Sequence, residues 1–509
     1  MNLHEKLHTI ITDPTLSPKQ KSNYMALEAD ASLSYLPISD ELKAVMNDGI
    51  ICDMFEGNAP FKPRYVLPNY AKFLKQGSQY LELKPAANLD EAINALTILY
   101  HHVPSVTNIP VYLGQLDEIL LPYVGELDEQ AIYQKLKLFW IMLDRTLPDA
   151  FMHANIGPTD NIVCRTILKV DAELKQVAPN LTFMHDPSQT PEDLLRLAAS
   201  CICECSKPHI ANYPIHANTY DEKGFGIVSC YNSLPLAGGA NTLVRMNLKE
   251  VASRSSSIEE FFSSTLEHHC QLMYELIEAR TSYLHNDSNF FNSFLVEEEL
   301  IYEDRFAPMF GIYGMAEAVN LLMEKANSPC QYGHDEMANQ LGHQISEKLD
   351  TIVKNTPVSY GWHGRALLHA QGGISLDEGV TPGVRIPYGN EPDPVSHIQA
   401  LAAHHQYYSS GISDILTIDE TVKDNPEAMF QLAKGALAIG FREFTANVAS
   451  NDLIRVTGYM IKLSDIATFA ENGSRTNTTG LGAEAAKNTN ILNRKPRVAS
   501  HEQSPSYGK

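Results

Sequence analysis

Apolar positions recur at three- and four-residue steps along much of this chain. Phe262, Leu266, His269, Met273, Leu276 and Ile277 keep that spacing and predict a long amphipathic helix. Met337, Leu341, Ile345, Leu349 and Ile352 predict another, stopped before Pro357. Thr190-Pro191-Glu192-Asp193 has the marks of a helix start: a capping hydroxyl, a proline at the first helical position and acid in the first turn. A further helix is expected over 428–447. Strand-like runs fall at 225–230 and 242–248, with short pieces on either side of Gly458. Helices interspersed with strands predict an α/β architecture.

The 509 residues contain no Pro/Ser/Gly linker that would divide them, so one large domain with a sizeable core is expected. The net charge of −22 argues against nucleic acid and anionic membrane as partners. Residues 1–13 lack the apolar core of a signal peptide, and no apolar run approaches the length of a membrane span. Eight cysteines in such a chain read as reduced thiols in the cytoplasm. Residues 471–509 are rich in Asn, Thr, Ser and Gly and poor in large apolar side chains, which predicts a flexible or surface tail. Cys201, Cys203 and Cys205 would face one way on a strand, with His209 near, but the spacing matches no common zinc pattern and no metal is expected. Phosphate-loop, dinucleotide-binding and His-Glu-x-x-His motifs are absent.

Two segments carry chemistry. The first is Leu453-Ile454-Arg455-Val456-Thr457-Gly458-Tyr459-Met460, in which a glycine sits among apolar neighbours. A carbon radical is most stable when its centre can flatten, and glycine has no side chain to obstruct this. The plain alternative is a tight turn at Thr457-Gly458 between two short strands. The second is Phe225-Gly226-Ile227-Val228-Ser229-Cys230, a short buried strand ending in a thiol. A loop follows it through Gly239, and then a strand over 242–248. The plain alternative there is a cysteine acting as a small core residue.

Together these segments resemble the glycine loop and cysteine loop of glycyl radical enzymes, and the second is similar to that of anaerobic ribonucleotide reductases. Phe310-Gly311-Ile312-Tyr313-Gly314-Met315 and the run from His404 to Glu420 resemble further segments of the same family. The likeness runs from Tyr213 to Phe469 and is nearest to the YjjI-type branch. It implies a ten-stranded α/β barrel of two half-barrels, surrounded by helices, with the two loops meeting inside. It divides the chain into a catalytic barrel over 1–440, a glycyl radical segment over 441–475 and the tail over 476–509.

The resemblance also implies the reaction. A separate radical S-adenosylmethionine activase, an iron–sulfur enzyme, would take a hydrogen atom from Gly458. The Gly458 radical would then oxidise Cys230 to a thiyl radical, which attacks a small polar substrate. No organic cofactor stays bound, the chemistry is anaerobic, and a homodimer is expected. Asn232, His216, Glu317 and His404 are the expected substrate-binding residues. The departures from better-known relatives limit the substrate. No cysteine follows Cys330, so the zinc motif of the reductases is absent. Cys230 has no adjacent cysteine, as pyruvate formate-lyase has, and Asn232 stands where diol dehydratases carry a glutamate base. Dehydratase or lyase chemistry is the first reading, ribonucleotide-reductase-like chemistry on a nucleoside or sugar the second. A catalytically silent barrel with a binding role is the third.

Overall fold

The computed structural model describes residues 1–473, except 53, 55, 148–150, 371–376 and 413; the tail expected over 476–509 lies outside the described residues. Two sheets form the centre. One has five strands in the order Glu443–Phe444, His209–Asn212, Asn180–His185, His153–Ile156 and Tyr112–Gln115. Its last four strands run parallel, and Glu443–Phe444 closes one edge antiparallel. The other has four, in the order Ile51–Cys52, Leu243–Asn247, Met309–Tyr313 and Leu367–Ala370, with the last three parallel.

Side chains alternate across each strand, which gives each sheet two unlike faces. Ala154, Ile156, Leu181, Phe183 and Ile210 join one extended apolar core on the first sheet, and Val244, Met246, Phe310, Ile312 and Leu368 join it on the second. Helices cover that side, Ile162–Leu174 and Glu192–Cys205 among them. The opposite faces are polar and buried: His153, Asn155, Asn180, Thr182, His209 and Glu443 on one, Arg245 and His369 on the other. Buried polar residues cost stability unless they find partners. On the first sheet, His153, Asn155 and Asn180 find partners on two hairpins; on the second, Arg245 bonds to Asp377 and His369 to the Ser410 carbonyl.

The first hairpin pairs Phe225–Val228 with Asn232–Pro235, and Ser229, Cys230 and Tyr231 form its tip. The stretch expected as a loop through Gly239 is therefore mostly strand, since Gly238–Ala240 also pairs with Tyr65–Leu67. The second pairs Leu453–Arg455 with Met460–Lys462 around the tip Val456, Thr457, Gly458, Tyr459.

The helix expected from residue 337 is present as Glu336–Asn355, and the helix through Leu276 as Leu266–Asn286, preceded by one wider turn at Phe261–Thr265. Three expectations differ. Glu192–Cys205 starts after Pro191, and the Thr190 hydroxyl instead meets the Asp186 amide at 3.0 Å and the Pro158 carbonyl at 2.8 Å. The helix expected over 428–447 is Pro426–Ala438; Gly440, at a φ of +103°, breaks it, and the chain re-enters the first sheet at Glu443. Cys201, Cys203 and Cys205 lie on a helix rather than a strand. One helical turn brings Cys201 and Cys205 together, with sulfurs 3.8 Å apart, and turns Cys203 away. No helix among the described residues is long and apolar enough to cross a membrane.

Candidate active site

The two hairpin tips meet backbone to backbone. A Cβ built on Gly458 would stand 2.0 Å from the Cys230 Cα, 2.7 Å from the Ser229 carbonyl oxygen and 2.8 Å from the Cys230 carbonyl carbon. The φ of Gly458 lies outside the left-handed region, so glycine is needed here for space and not for its dihedral. The segment is a hairpin turn pressed against a cysteine.

Cys230 is presented by unusual backbone on both sides. Ser229 and Tyr231 have φ of +48° and +63°, a region that costs residues with side chains on the order of 1 kcal/mol or more each. The surroundings hold them there. The Ser229 hydroxyl meets the Tyr65 hydroxyl at 3.2 Å, and the Ser229 carbonyl lies 3.2 Å from His153 Nδ1. Gly411 backs onto the loop so closely that a Cβ there would fall 1.9 Å from the Tyr231 carbonyl. Cys230 itself is half-buried, with its sulfur 3.2 Å from the Thr457 hydroxyl.

The glycine tip is clamped by side chains from the first sheet and the cysteine loop. Asn180 donates to the Gly458 carbonyl, and the Tyr231 hydroxyl donates to the Thr457 carbonyl at 3.0 Å. Arg455 is fully buried; it donates to Asn180 Oδ1 and to the Ser206 carbonyl, each at 3.0 Å. Its own backbone is tied to Asn447, whose side chain accepts from the Arg455 amide at 2.8 Å and donates to its carbonyl at 3.0 Å.

Behind the cysteine loop runs a chain of buried polar groups. His153 Nε2 lies 2.6 Å from Thr182 Oγ1, which lies 2.9 Å from His209 Nε2. The Glu443 carboxyl stands 2.8 Å from His209 and 3.4 Å from His216 Nε2. Burial pushes Glu443 well above the usual carboxyl range and pushes both histidines well below theirs. Burial thus disfavours the charged form of each partner in this contact. His153 is pushed down to about 3 by burial and then by the charge of Arg455.

The expected site residues fall into two groups. Gly458 and Cys230 are in contact. Asn232 is two residues from Cys230 but turns its amide back to the Val228 carbonyl at 3.1 Å. His216 meets the Ser233 hydroxyl of the cysteine hairpin at 3.0 Å. Glu317 bonds instead to the Thr381 amide at 3.0 Å, and His404 to Tyr332 at 3.0 Å and Ser346 at 2.8 Å, so neither bonds to either hairpin tip. Sequence reasoning missed Glu443, His153, Asn180, Arg245 and His369. Glu443 was hidden inside the segment read as helix. Arg245 lay in a strand already recognised, where its charge in an apolar run was the available signal. Asp171, Cys201 and Cys205 offer ligand atoms within 4.8 Å of one another. There, however, the buried ammonium of Lys207 already meets Asp171 at 2.7 Å, with Trp140 Nε1 at 3.0 Å.

The chain is similar to known proteins over almost its whole length. The family described as "Glycyl radical enzyme YjjI-like" matches residues 16–497. The YjjI protein of Escherichia coli (strain K12) is 60% identical over 502 residues, 98% of this chain and 97% of that one. A protein of Haemophilus influenzae is 35% identical over 506 residues, 98% of this chain and 95% of that one. Among solved structures, the hydroxyproline dehydratase HypD of Clostridioides difficile superposes with a TM-score of 0.72 at 14% identity, covering 98% of this chain and 89% of its own. The anaerobic ribonucleotide reductase of Thermotoga maritima gives 0.65 at 13%, covering 92% and 89%. The Roseburia inulinivorans protein of 1,2-propanediol dehydration gives 0.63 at 13%, covering 97% and 78%. At such identities these structures share the fold. The sequence relatives and the family match carry the assignment: the chain belongs to the YjjI-like family of glycyl radical enzymes.

Proposed function

We propose that Gly458 carries the backbone radical and that Cys230 relays it to a small polar substrate. The observation that carries this reading is the packing of the Gly458 Cα on the Cys230 backbone, with no room for a methyl group between them. A radical S-adenosylmethionine activase removes one hydrogen atom from the Gly458 Cα. The Gly458 radical takes the hydrogen of the Cys230 thiol, and the thiyl radical abstracts hydrogen from a substrate carbon. After elimination or rearrangement, Cys230 returns its hydrogen to the product radical. The protein's part is to hold three centres in line and keep water and oxygen out.

Asn232 and His216, both bonded within the cysteine hairpin, are the nearer of the expected substrate contacts; Glu317 and His404 act from further away. With Asn232 in place of a carboxylate, Glu443 is a buried acid behind the loop, beside His209 and His216. Dehydratase or lyase chemistry is the leading reading, in a soluble cytoplasmic homodimer. The sheets support a barrel of two half-barrels and ten strands: five on one side, and four on the other plus a bridge between Ala370 and Ile412 that supplies the fifth position.

The test is anaerobic electron paramagnetic resonance after incubation with the cognate activase, S-adenosylmethionine and a reductant. A doublet in the wild type, lost in Gly458→Ala, is expected. No doublet, with an activase proven on another partner, sinks the reading.

A further inference from the structure

The polar face of the second sheet carries groups that hydrogen transfer between Gly458 and Cys230 does not use. Arg245, Gly311 and His369 occupy one register row across three parallel strands. Arg245 and His369 are fully buried. A Cβ on Gly311 would fall 2.9 Å from the Arg245 Cγ, so the arginine stem lies across the glycine, with its guanidinium 4.5 Å from the Tyr313 ring centre.

The guanidinium is bonded on one side only. Nη1 donates to both oxygens of Asp377, at 3.1 and 2.9 Å. Nε and Nη2 have no hydrogen-bond partner among the described residues. Those two nitrogens form one edge of the planar fork, with parallel N–H groups spaced for the two oxygens of a carboxylate. His369 supplies a complementary group. Its Nδ1 lies 3.1 Å from the Ser410 carbonyl, which can only accept, so Nδ1 carries the proton. Its Nε2 is then an acceptor, also without a partner among the described residues.

The row is also close to the thiol. Gly411 touches both the cysteine loop and His369, whose Nδ1 would lie 3.5 Å from a Cβ at that glycine.

We propose that Arg245 and His369 recognise the substrate of this enzyme, and that the substrate is a small carboxylate bearing a hydroxyl or N–H donor. The carboxylate takes the Nε/Nη2 edge of Arg245, and the donor group takes His369 Nε2. This rests on the radical reading only for the claim that the bound molecule is the substrate.

Binding is therefore tested on the unactivated protein. Thermal unfolding is followed, free of oxygen, with L-lactate, propionate, 1,2-propanediol and inorganic phosphate at concentrations on the order of tens of millimolar. Lactate should raise the midpoint most and propionate less. The neutral diol and phosphate should not raise it. Arg245→Lys, which keeps the charge facing Asp377 but loses the fork, should weaken lactate binding roughly tenfold. His369→Phe should bring lactate down to the level of propionate, and if that variant does not fold, Arg245→Lys decides alone. No shift with either carboxylate, a diol or phosphate shift equal to that of lactate, or unchanged lactate binding in Arg245→Lys overturns the assignment. Failure of the radical reading shows separately, as a missing doublet in the wild type.

Discussion

Replacing Gly458 by alanine adds one methyl group at the tightest point of the molecule. The new Cβ would sit 2.0 Å from the Cys230 Cα, where ordinary contact begins at 3.4 Å, so the tips must part by about 1.4 Å. No flexible side chain can yield, because all three near atoms belong to backbone. Overpacking of this kind costs about 1–3 kcal/mol, and rigid neighbours put it toward the upper end. Parting the tips also stretches the bonds from Asn180 and Tyr231 to the glycine turn. Calorimetry should show a midpoint lowered by a few degrees, and resonance after activation should show no doublet. Gly435→Ala is the control: it lies exposed within the helix Pro426–Ala438, with nothing within 4 Å of its added methyl, and should gain about 0.4–1 kcal/mol. A Gly458→Ala protein as stable as the wild type would refute the close packing of the tips. A surviving doublet would refute the radical site.

Cys230→Ala should keep the doublet at Gly458 while abolishing substrate turnover; loss of the doublet itself would mean that the thiol is needed before relay. Arg455→Met strands Asn180 Oδ1 and the Ser206 carbonyl, at about 1–3 kcal/mol each, and a urea midpoint close to wild type would contradict this. Asp117, whose carboxylate oxygen accepts from the Gly157 amide and the Asn161 side chain, each at 3.0 Å, is raised by burial from 3.8 to about 7. Its unfolded form loses the proton first, so its contribution is whole below about pH 4 and fades by about 1.4 kcal/mol per pH unit up to about pH 7. Asp117→Asn should therefore gain stability over wild type across that window; equal pH slopes in urea unfolding would rule this out. Air admitted to the activated enzyme should cut the chain at Gly458, giving a fragment that mass spectrometry places at that residue, and an intact chain would count against the radical.

The two hairpin segments were legible as short local patterns, an apolar turn with a glycine and a buried strand ending in a thiol, but only the family resemblance implied that they meet. Glu336–Asn355 was legible as a long run of one period. What failed was decided at a distance. Nothing near Ala438 announces that the next residues pair with His209–Asn212, more than two hundred positions earlier, so Glu443 passed as a helical residue. Cys201 to Cys205 suits a strand by residue type, but the helix begun at Glu192 carries through it. Arg245 and His369 become neighbours only through the register of three strands, which spacing along the chain does not encode.

Among the described residues the glycine hairpin pairs only with itself: Leu453–Arg455 and Met460–Lys462 form a sheet of two strands, joined to neither large sheet. Its ladder therefore travels with it. Drawing the turn out of the core breaks a handful of side-chain clasps, chiefly those from Asn180, Tyr231 and the Arg455 head group, and leaves the hairpin's own hydrogen bonds intact. The turn behaves as a latch and not as a woven strand. Its ladder and that of the cysteine hairpin are separate, so neither is woven into the other.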